Sequence, residues 1–353
     1  MFSKLLGVVS ADLAIDLGTA NTRVWGRGRG LVLDEPSIVA IQRGTTRVLS
    51  RGRAAGAVVG RLAKPMVGRA PHSIDAVRPL EEGTIVDFEV AEAMLAHFIR
   101  EAAGARRWIG PRVLIAAKLG LQPVSKRIVF DAAERAGARR VYLIEAPRAA
   151  GLGAGLPIHE ARAHMVVDVG AGTTDVAVLS LGDIVVSESI KVAGDAMDRA
   201  IVEHLKKHYG VLVGDTTAEE VKMRLGTACP AGEESSVVVP GRDLIAGLPR
   251  SVTVTSEEVR EAIAEPVRQI LLAVRRTLER TGPDLSGDLL ERGILACGGG
   301  VRLNGLAEAI AEDTGLPVRV AEEPETTVVR GAGLLLERLD ESAQILESAE
   351  DEN

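Results

Sequence analysis

Residues Asp16-Leu-Gly-Thr-Ala-Asn-Thr-Arg-Val24 and Asp168-Val-Gly-Ala-Gly-Thr-Thr-Asp-Val176 carry Asp, Gly, Thr and Val at the same offsets in two distant parts of the chain. Each copy follows a short apolar run, Leu13-Ala-Ile15 or Met165-Val-Val167, and precedes another, Thr22–Trp25 or Asp175–Leu179. That pattern predicts strand, tight Gly-rich turn, strand: two β-hairpins in corresponding halves of the protein. A P-loop would need a strand-to-helix step and the pattern G-x-x-x-x-G-K-[ST], which the sequence lacks. Small residues at such turns let backbone N–H groups approach a polyphosphate. Asp16 and Asp168 would repel phosphate directly, so they are expected to hold Mg²⁺ through its retained waters. The plainer alternative is a pair of Asp-capped turns, and it is the pairing that argues against it.

Two further glycine clusters extend the pattern. Gly298-Gly299-Gly300 follows the apolar run Ile294–Cys297 and precedes a helix predicted from near Leu303, offering bare backbone to a flat adenine. Gly331 and Gly333, in Val328-Val-Arg-Gly-Ala-Gly333, read as a helix start and hinge. Gly151-Leu-Gly-Ala-Gly155 is explained by capping of a helix C-terminus.

The composition narrows the function classes. At 353 residues and 46% hydrophobic content the chain has material for two or more cores. A net charge of −7 and only 2% aromatic residues argue against nucleic-acid binding, which needs basic clusters or stacking platforms. Cys229 and Cys297 lack metal-ligand spacing. No apolar run approaches the roughly 20 residues that span a bilayer. Lys4 before an apolar stretch is superficially like a signal peptide, but the predicted strand Leu13–Leu17 follows at once. Retention and a cytoplasmic address are expected.

These elements, in this order, resemble the superfamily of actins, heat-shock chaperones and sugar kinases. Leu13–Thr22, Leu33–Ile41, Arg78–Leu95, Val192–Ile201, Gly241–Val267 and Thr314–Pro324 narrow the resemblance to the MreB and Mbl branch. The resemblance implies an α/β, actin-like fold of two lobes, each a core with a smaller inserted subdomain, and ATP in the cleft between the lobes. Lobe I would span 11–145 with its insertion near 37–77, and lobe II 146–337 with its insertion near 187–250. Residues 1–10 would precede the lobes, and 338–353 would form an acidic, frayed tail.

By position, the resemblance assigns phosphate contacts to Gly18, Thr19, Ala20 and Asn21, and to Gly170, Ala171, Gly172 and Thr173. Gly194, Asp195, Glu219, Glu220, Val221 and Lys222 match positions around the nucleotide, as do Gly298, Gly299, Gly300 and Val301. Read from the residues alone, Glu219 and Lys222 form a surface ion pair on one helix face, and Asp195 caps a helix. One departure bears on turnover. Where the family carries a glutamate thought to activate the attacking water, this chain has Ser125. Gln122, Thr173 or Thr174 would then have to position water without a general base, and such a base is worth roughly 10²–10⁴-fold in rate. Slow or absent hydrolysis is expected, with a nucleotide-locked scaffold or a small-molecule kinase as the alternatives.

Two segments read as membrane-facing. Phe2, Leu5, Leu6 and Val9 fall at helical spacing on one stripe. Trp108 and Ile109 follow paired arginines in a loop, which suits an anionic leaflet. The expected partners are further copies in a filament, the inner face of the cell membrane, and membrane-bound cell-shape and cell-wall synthesis proteins, with no nucleic acid.

Overall fold

The computed structural model describes residues 11–49, 57–104, 109–230, 234–339 and 346–348. The chain divides into two units, residues 1–159 with 325–353, and residues 160–324. In chain order the first stretch holds β1 (Leu13–Leu17), β2 (Asn21–Gly26), β3 (Gly30–Pro36), β4 (Val39–Gln42), β5 (Ile74–Val77), β6 (Leu80–Glu81), β7 (Thr84–Ile85), α1 (Phe88–Ala103), β8 (Arg112–Ala117), α2 (Pro123–Arg135), β9 (Arg140–Glu145) and α3 (Ala146–Gly153). The middle stretch holds β10 (His164–Val169), β11 (Thr174–Ser180), β12 (Asp183–Ile190), α4 (Gly194–Tyr209), β13 (Val211–Leu212), α5 (Asp215–Leu225), β14 (Ser236–Asp243), β15 (Pro249–Thr255), α6 (Ser256–Glu279), α7 (Pro283–Arg292), β16 (Ile294–Cys297), α8 (Leu306–Thr314) and β17 (Val318–Val320). The chain returns to the first unit with α9 (Thr327–Glu337) and β18 (Glu347–Ser348).

Each unit is built on its own sheet, and the two sheets share one strand plan. In the first, β3-β2-β1 is an antiparallel meander continued by β8 and β9 in parallel. In the second, β12-β11-β10 is the meander, and β16 and β17 continue it in parallel. The two quoted repeats are the β1–β2 and β10–β11 hairpins, so the sequence duplication is a duplication of architecture. Parallel central strands are covered on both faces, which is why Ile294–Cys297 is apolar throughout and wholly buried. Helix α1 turns Met94, Leu95 and Phe98 onto Leu13, Ile15 and Ile115. Helix α6 lays Val259, Ile263, Ile270 and Val274 over Val167 and Val176. Its start is fixed by a capping box in which Thr255 and Glu258 bond each other's backbone N–H.

The segment 37–77 carries the β4–β5 pair over a small core of Ile38, Ala40, Val58 and Ala63. Between β12 and α6, β13, β14 and β15 form a separate antiparallel sheet.

Several expectations need correction. The sequence boundaries at 145/146 and 337/338 differ from the division above, because α9 packs along α3 and belongs with the first unit. Gly331 and Gly333 lie inside α9 rather than at its start. A Cβ on Gly331 would sit 2.7 Å from Gly153 N, and one on Gly333 would sit 2.5 Å from the Trp25 ring. They are contact glycines, not a hinge. Gly153 meets α9 in the same contact, so in the Gly151–Gly155 run it is Gly155, at φ +73°, that suits a helix end. The helix after the glycine triplet begins at Leu306, preceded by a 3₁₀ turn over Gly299–Arg302. The tail is not frayed where it is described: Glu347 and Ser348 pair antiparallel with Leu143 and Tyr142 of β9, and Lys126 pairs with Glu347. A two-residue strand leaves no periodicity to read. Phe2, Leu5, Leu6, Val9 and Trp108 lie outside the described residues, while Ile109 is half-buried.

Candidate functional site

In the first unit the site is the β1–β2 turn. Asp16 stands opposite Arg23 in the hairpin register, with Arg23 Nη1 3.9 Å from its carboxylate. Burial pushes the Asp16 carboxyl up to about 6, only partly opposed by Arg23. A carboxylate strained towards protonation gains from a nearby cation, so its environment fits a hydrated Mg²⁺. The turn itself is tight: a Cβ on Gly18 would lie 2.6 Å from the Asn21 carbonyl oxygen. Its carbonyls are committed elsewhere. Ser37 Oγ donates to the Gly18 carbonyl at 2.7 Å, and Ser37 N–H to that of Ala20 at 2.9 Å. The Gly83 N–H donates to Thr19 Oγ1 at 3.0 Å, and Thr22 Oγ1 lies 2.8 Å from Ser37 Oγ.

The second unit repeats this device with different donors. Gly170 N–H bonds the Thr173 carbonyl at 2.9 Å and closes the β10–β11 turn. The carbonyls of Gly170 and Ala171 accept from Gly194 N–H at 3.3 Å and Asp195 N–H at 2.8 Å, the first two residues of α4. In both turns, carbonyl oxygens that would repel an anion are occupied by N–H or O–H donors. Gly194 and Asp195 thus hold the loop, and Ala193, not Asp195, is the capping residue.

Behind that helix start stands Lys222, whose Nζ donates to the Gly194 carbonyl at 3.0 Å and to Asp198 Oδ2 at 2.8 Å. The predicted Glu219–Lys222 surface pair is therefore replaced by a half-buried Lys222–Asp198 pair between α5 and α4. Burial, outweighing the attraction of Lys222, pushes the Asp198 carboxyl up to about 6. Glu219 is half-buried, Glu220 is exposed, and Val221 turns into the core at 3% exposure. Gly298, at φ +83°, backs onto Asp168 and the Val169 carbonyl, and Gly300 onto Val169 and Gly170. Within the triplet, then, Gly298 is buried, Gly300 is half-buried and Gly299 is exposed. Val301 belongs to the core.

Of the residues considered for positioning water, Thr174 is fully buried and its hydroxyl donates to the Val192 carbonyl at 2.7 Å. Thr173 is half-buried at the turn. Gln122 is the exposed N-cap of α2, and Ser125 is half-buried in that helix's first turn. Asp168, Gly170–Thr173, Gly194, Asp195, Lys222 and Gly298–Val301 form one contiguous cluster in the second unit. Sequence reasoning missed Ser37, Gly83 and Asp198. Among the described residues no group of three His, Cys, Asp or Glu side chains is arranged to hold a metal, and no helix is long and apolar enough to cross a membrane.

A family model described as MreB/Mbl protein matches residues 10–344. The chain is 45% identical to the cell shape-determining protein Mbl of Bacillus subtilis over 329 residues, covering 93% of this chain and 96% of that protein. It is 45% identical to the cell shape-determining protein MreB of Escherichia coli over 344 residues, covering 96% and 97%. Among solved structures, MreB5 of Spiroplasma citri bound to AMPPNP superposes with a TM-score of 0.87 at 32% identity, over 95% of this chain and 98% of that one. The chain of a MamK double helical filament gives a TM-score of 0.77 at 23% identity over 94% and 99%, a likeness of fold alone.

Proposed function

Because this actin-like chain belongs to the MreB/Mbl family, we propose that it binds Mg-ATP through its two hairpins and assembles into filaments at the inner membrane face. There the filaments would organise cell-wall synthesis and cell shape. The observation that carries nucleotide binding is the repeated turn. At equivalent positions in the two units, Asp16 and Asp168 are the last but one residue of a strand, a Gly-rich turn follows, and turn carbonyls are held by other donors. The similar MreB5 of Spiroplasma citri, solved with ADP and with AMPPNP, supports the same reading.

In this reading Thr19–Asn21 and Gly170–Thr173 bind the phosphates through backbone N–H groups. Asp16 and Asp168 hold the waters of Mg²⁺, which when bound neutralises phosphate charge. Glu219, with Lys222 fixed by Asp198, faces the sugar and base, and exposed Gly299 borders them. Turnover is slow, since Ser125 has no basic group to take a proton and Gln122 can only orient water. The membrane contacts are Phe2, Leu5, Leu6 and Val9 together with Trp108 and Ile109. Filament growth follows from a head-to-tail contact that does not close on itself.

Thermal unfolding with and without Mg-ATP tests the site. A ligand at a hundredfold excess over Kd adds about 2.7 kcal/mol of apparent stability. An unchanged melting temperature at millimolar Mg-ATP would remove nucleotide binding from the account.

A further inference from the structure

Strand β8 runs parallel to β1, with Ala116 opposite Asp16, and parallel to β9, with Ala117 opposite Glu145. Lys118 is the next residue, so it leaves the sheet at the carboxyl ends of these strands. Ligands of open α/β sheets bind at that edge, and here the β1–β2 turn stands on it. Lys118 is half-buried, and its stem lies across Gly83. A Cβ on Gly83 would meet Lys118 Cδ at 2.7 Å and its Cβ and Cγ at 3.3 Å. Gly83 closes the two-residue turn between β6 and β7, in which Glu82 has φ 48° and Gly83 φ 71°. Two left-handed residues make a tight hairpin turn, and the bare Cα of the second gives the lysine stem a flat seat. The Gly83 N–H in turn donates to Thr19 Oγ1 at 3.0 Å. One residue therefore connects Lys118 to the first phosphate turn.

The connection that Lys118 begins runs into the first turn of α2, where Ser125 takes the place of the family's water-activating glutamate. It thus borders the end of the polyphosphate rather than the sugar or base. We infer that Lys118 contacts the terminal phosphate and sets a preference for nucleoside triphosphate over diphosphate. An ammonium group suits this role as a compact point charge whose donors need no fixed fork. Packing of the stem on Gly83 lowers the side-chain entropy lost on contact. The diphosphate lacks the group that Lys118 would touch, so the contact weighs on one ligand alone. Because Ser125 cannot take a proton, a charge on the terminal phosphate prolongs the triphosphate-bound state. The inference rests on the nucleotide reading above and adds which phosphorylation state the site selects.

The test is calorimetric titration of the full chain with AMPPNP and with ADP at constant Mg²⁺, which reads binding independently of turnover. Lys118→Ala should weaken AMPPNP by about tenfold or more, the worth of one charged hydrogen bond, and ADP by less than about twofold. Lys118→Arg, which keeps the charge, should recover most of the preference. The control Arg127→Gln, exposed on α2, should leave both affinities as they are. Unchanged AMPPNP binding by Lys118→Ala would sink the contact and leave the nucleotide site standing. Equal losses for AMPPNP and ADP, or a variant that melts early and binds neither, would make Lys118 a structural residue of the β6–β7 turn. Wild-type protein that binds neither nucleotide overturns both readings.

Discussion

Replacing Gly331 by alanine tests a close helix–helix approach in the first unit. In a solvent-exposed helix this change stabilises by up to about 1 kcal/mol, because alanine restricts the unfolded chain and favours the helix. Here the new methyl would fall 2.6 Å from the Ala149 carbonyl carbon and 2.7 Å from Gly153 N, where ordinary contact begins at 3.4 Å. Both obstacles are backbone atoms of α3, so no side chain can swing aside. The Ala149 carbonyl oxygen stands nearer still, so helix α9 must retreat by more than an ångström, taking Val329, Ala332 and Leu336 out of their fully buried positions. Overpacking of this kind costs about 1–3 kcal/mol and outweighs the propensity gain. Gly287 in α7 is the internal control: nothing lies within 4 Å of its Cβ position. Gly287→Ala should raise the melting temperature of the second unit's transition by about 2–4 °C, and Gly331→Ala should lower that of the first by a similar or larger step. Circular dichroism melts of the two variants would decide it. A Gly331→Ala protein as stable as wild type would show that the α3–α9 contact yields without cost and that the glycine does not serve close packing. Gly153→Ala should behave alike, and the double change should cost less than the sum, since both strain one contact.

Three other expectations are open to direct measurement. Ser125→Glu should raise phosphate release from ATP by at least tenfold if the first turn of α2 is where a base is missing, and equal rates would locate the base elsewhere. Asp198 has a folded-state value near 6 against an ordinary 3.8, so the native state binds the extra proton between those values. Its contribution to stability therefore falls as pH rises from about 4 to 6. Asp198→Asn should consequently gain about 1–3 kcal/mol relative to wild type between pH 4 and pH 7 in urea titrations, and a pH-independent difference would refute it. Trp108→Ser combined with Ile109→Ser should release filaments from liposomes without preventing their assembly, as read by pelleting with and without vesicles.

The hairpins were legible because a strand–turn–strand unit leaves a local signature, and its duplication made the signature specific. What escaped was non-local. The place of Gly331 in α9 depends on Ala149 and Gly153, far away in sequence. A glycine that admits a neighbouring backbone looks, in one dimension, like a glycine that bends. Lys222 offered a partner at helical spacing, Glu219, and the fold gave it Asp198 across two helices instead. Ser37 sits in a segment matched to the family as a whole, yet nothing local marks its hydroxyl as the clasp of a turn residues away. Thr173 and Thr174 are adjacent and chemically alike, and strand alternation sends the second inward to Val192.

The division of the chain also sets an order of events during synthesis. The second unit, residues 160–324, is one uninterrupted stretch and has all its strands once Pro324 has left the ribosome. The first unit begins earlier but finishes later. Its sheet waits for α9 to cover β1, and the outer edge of β9 stays unpaired until Glu347 and Ser348 arrive. The half made first is therefore the half completed last, holding an open strand edge throughout translation of the other. A chaperone that shields nascent chains would find its longest-lived target there, along β9.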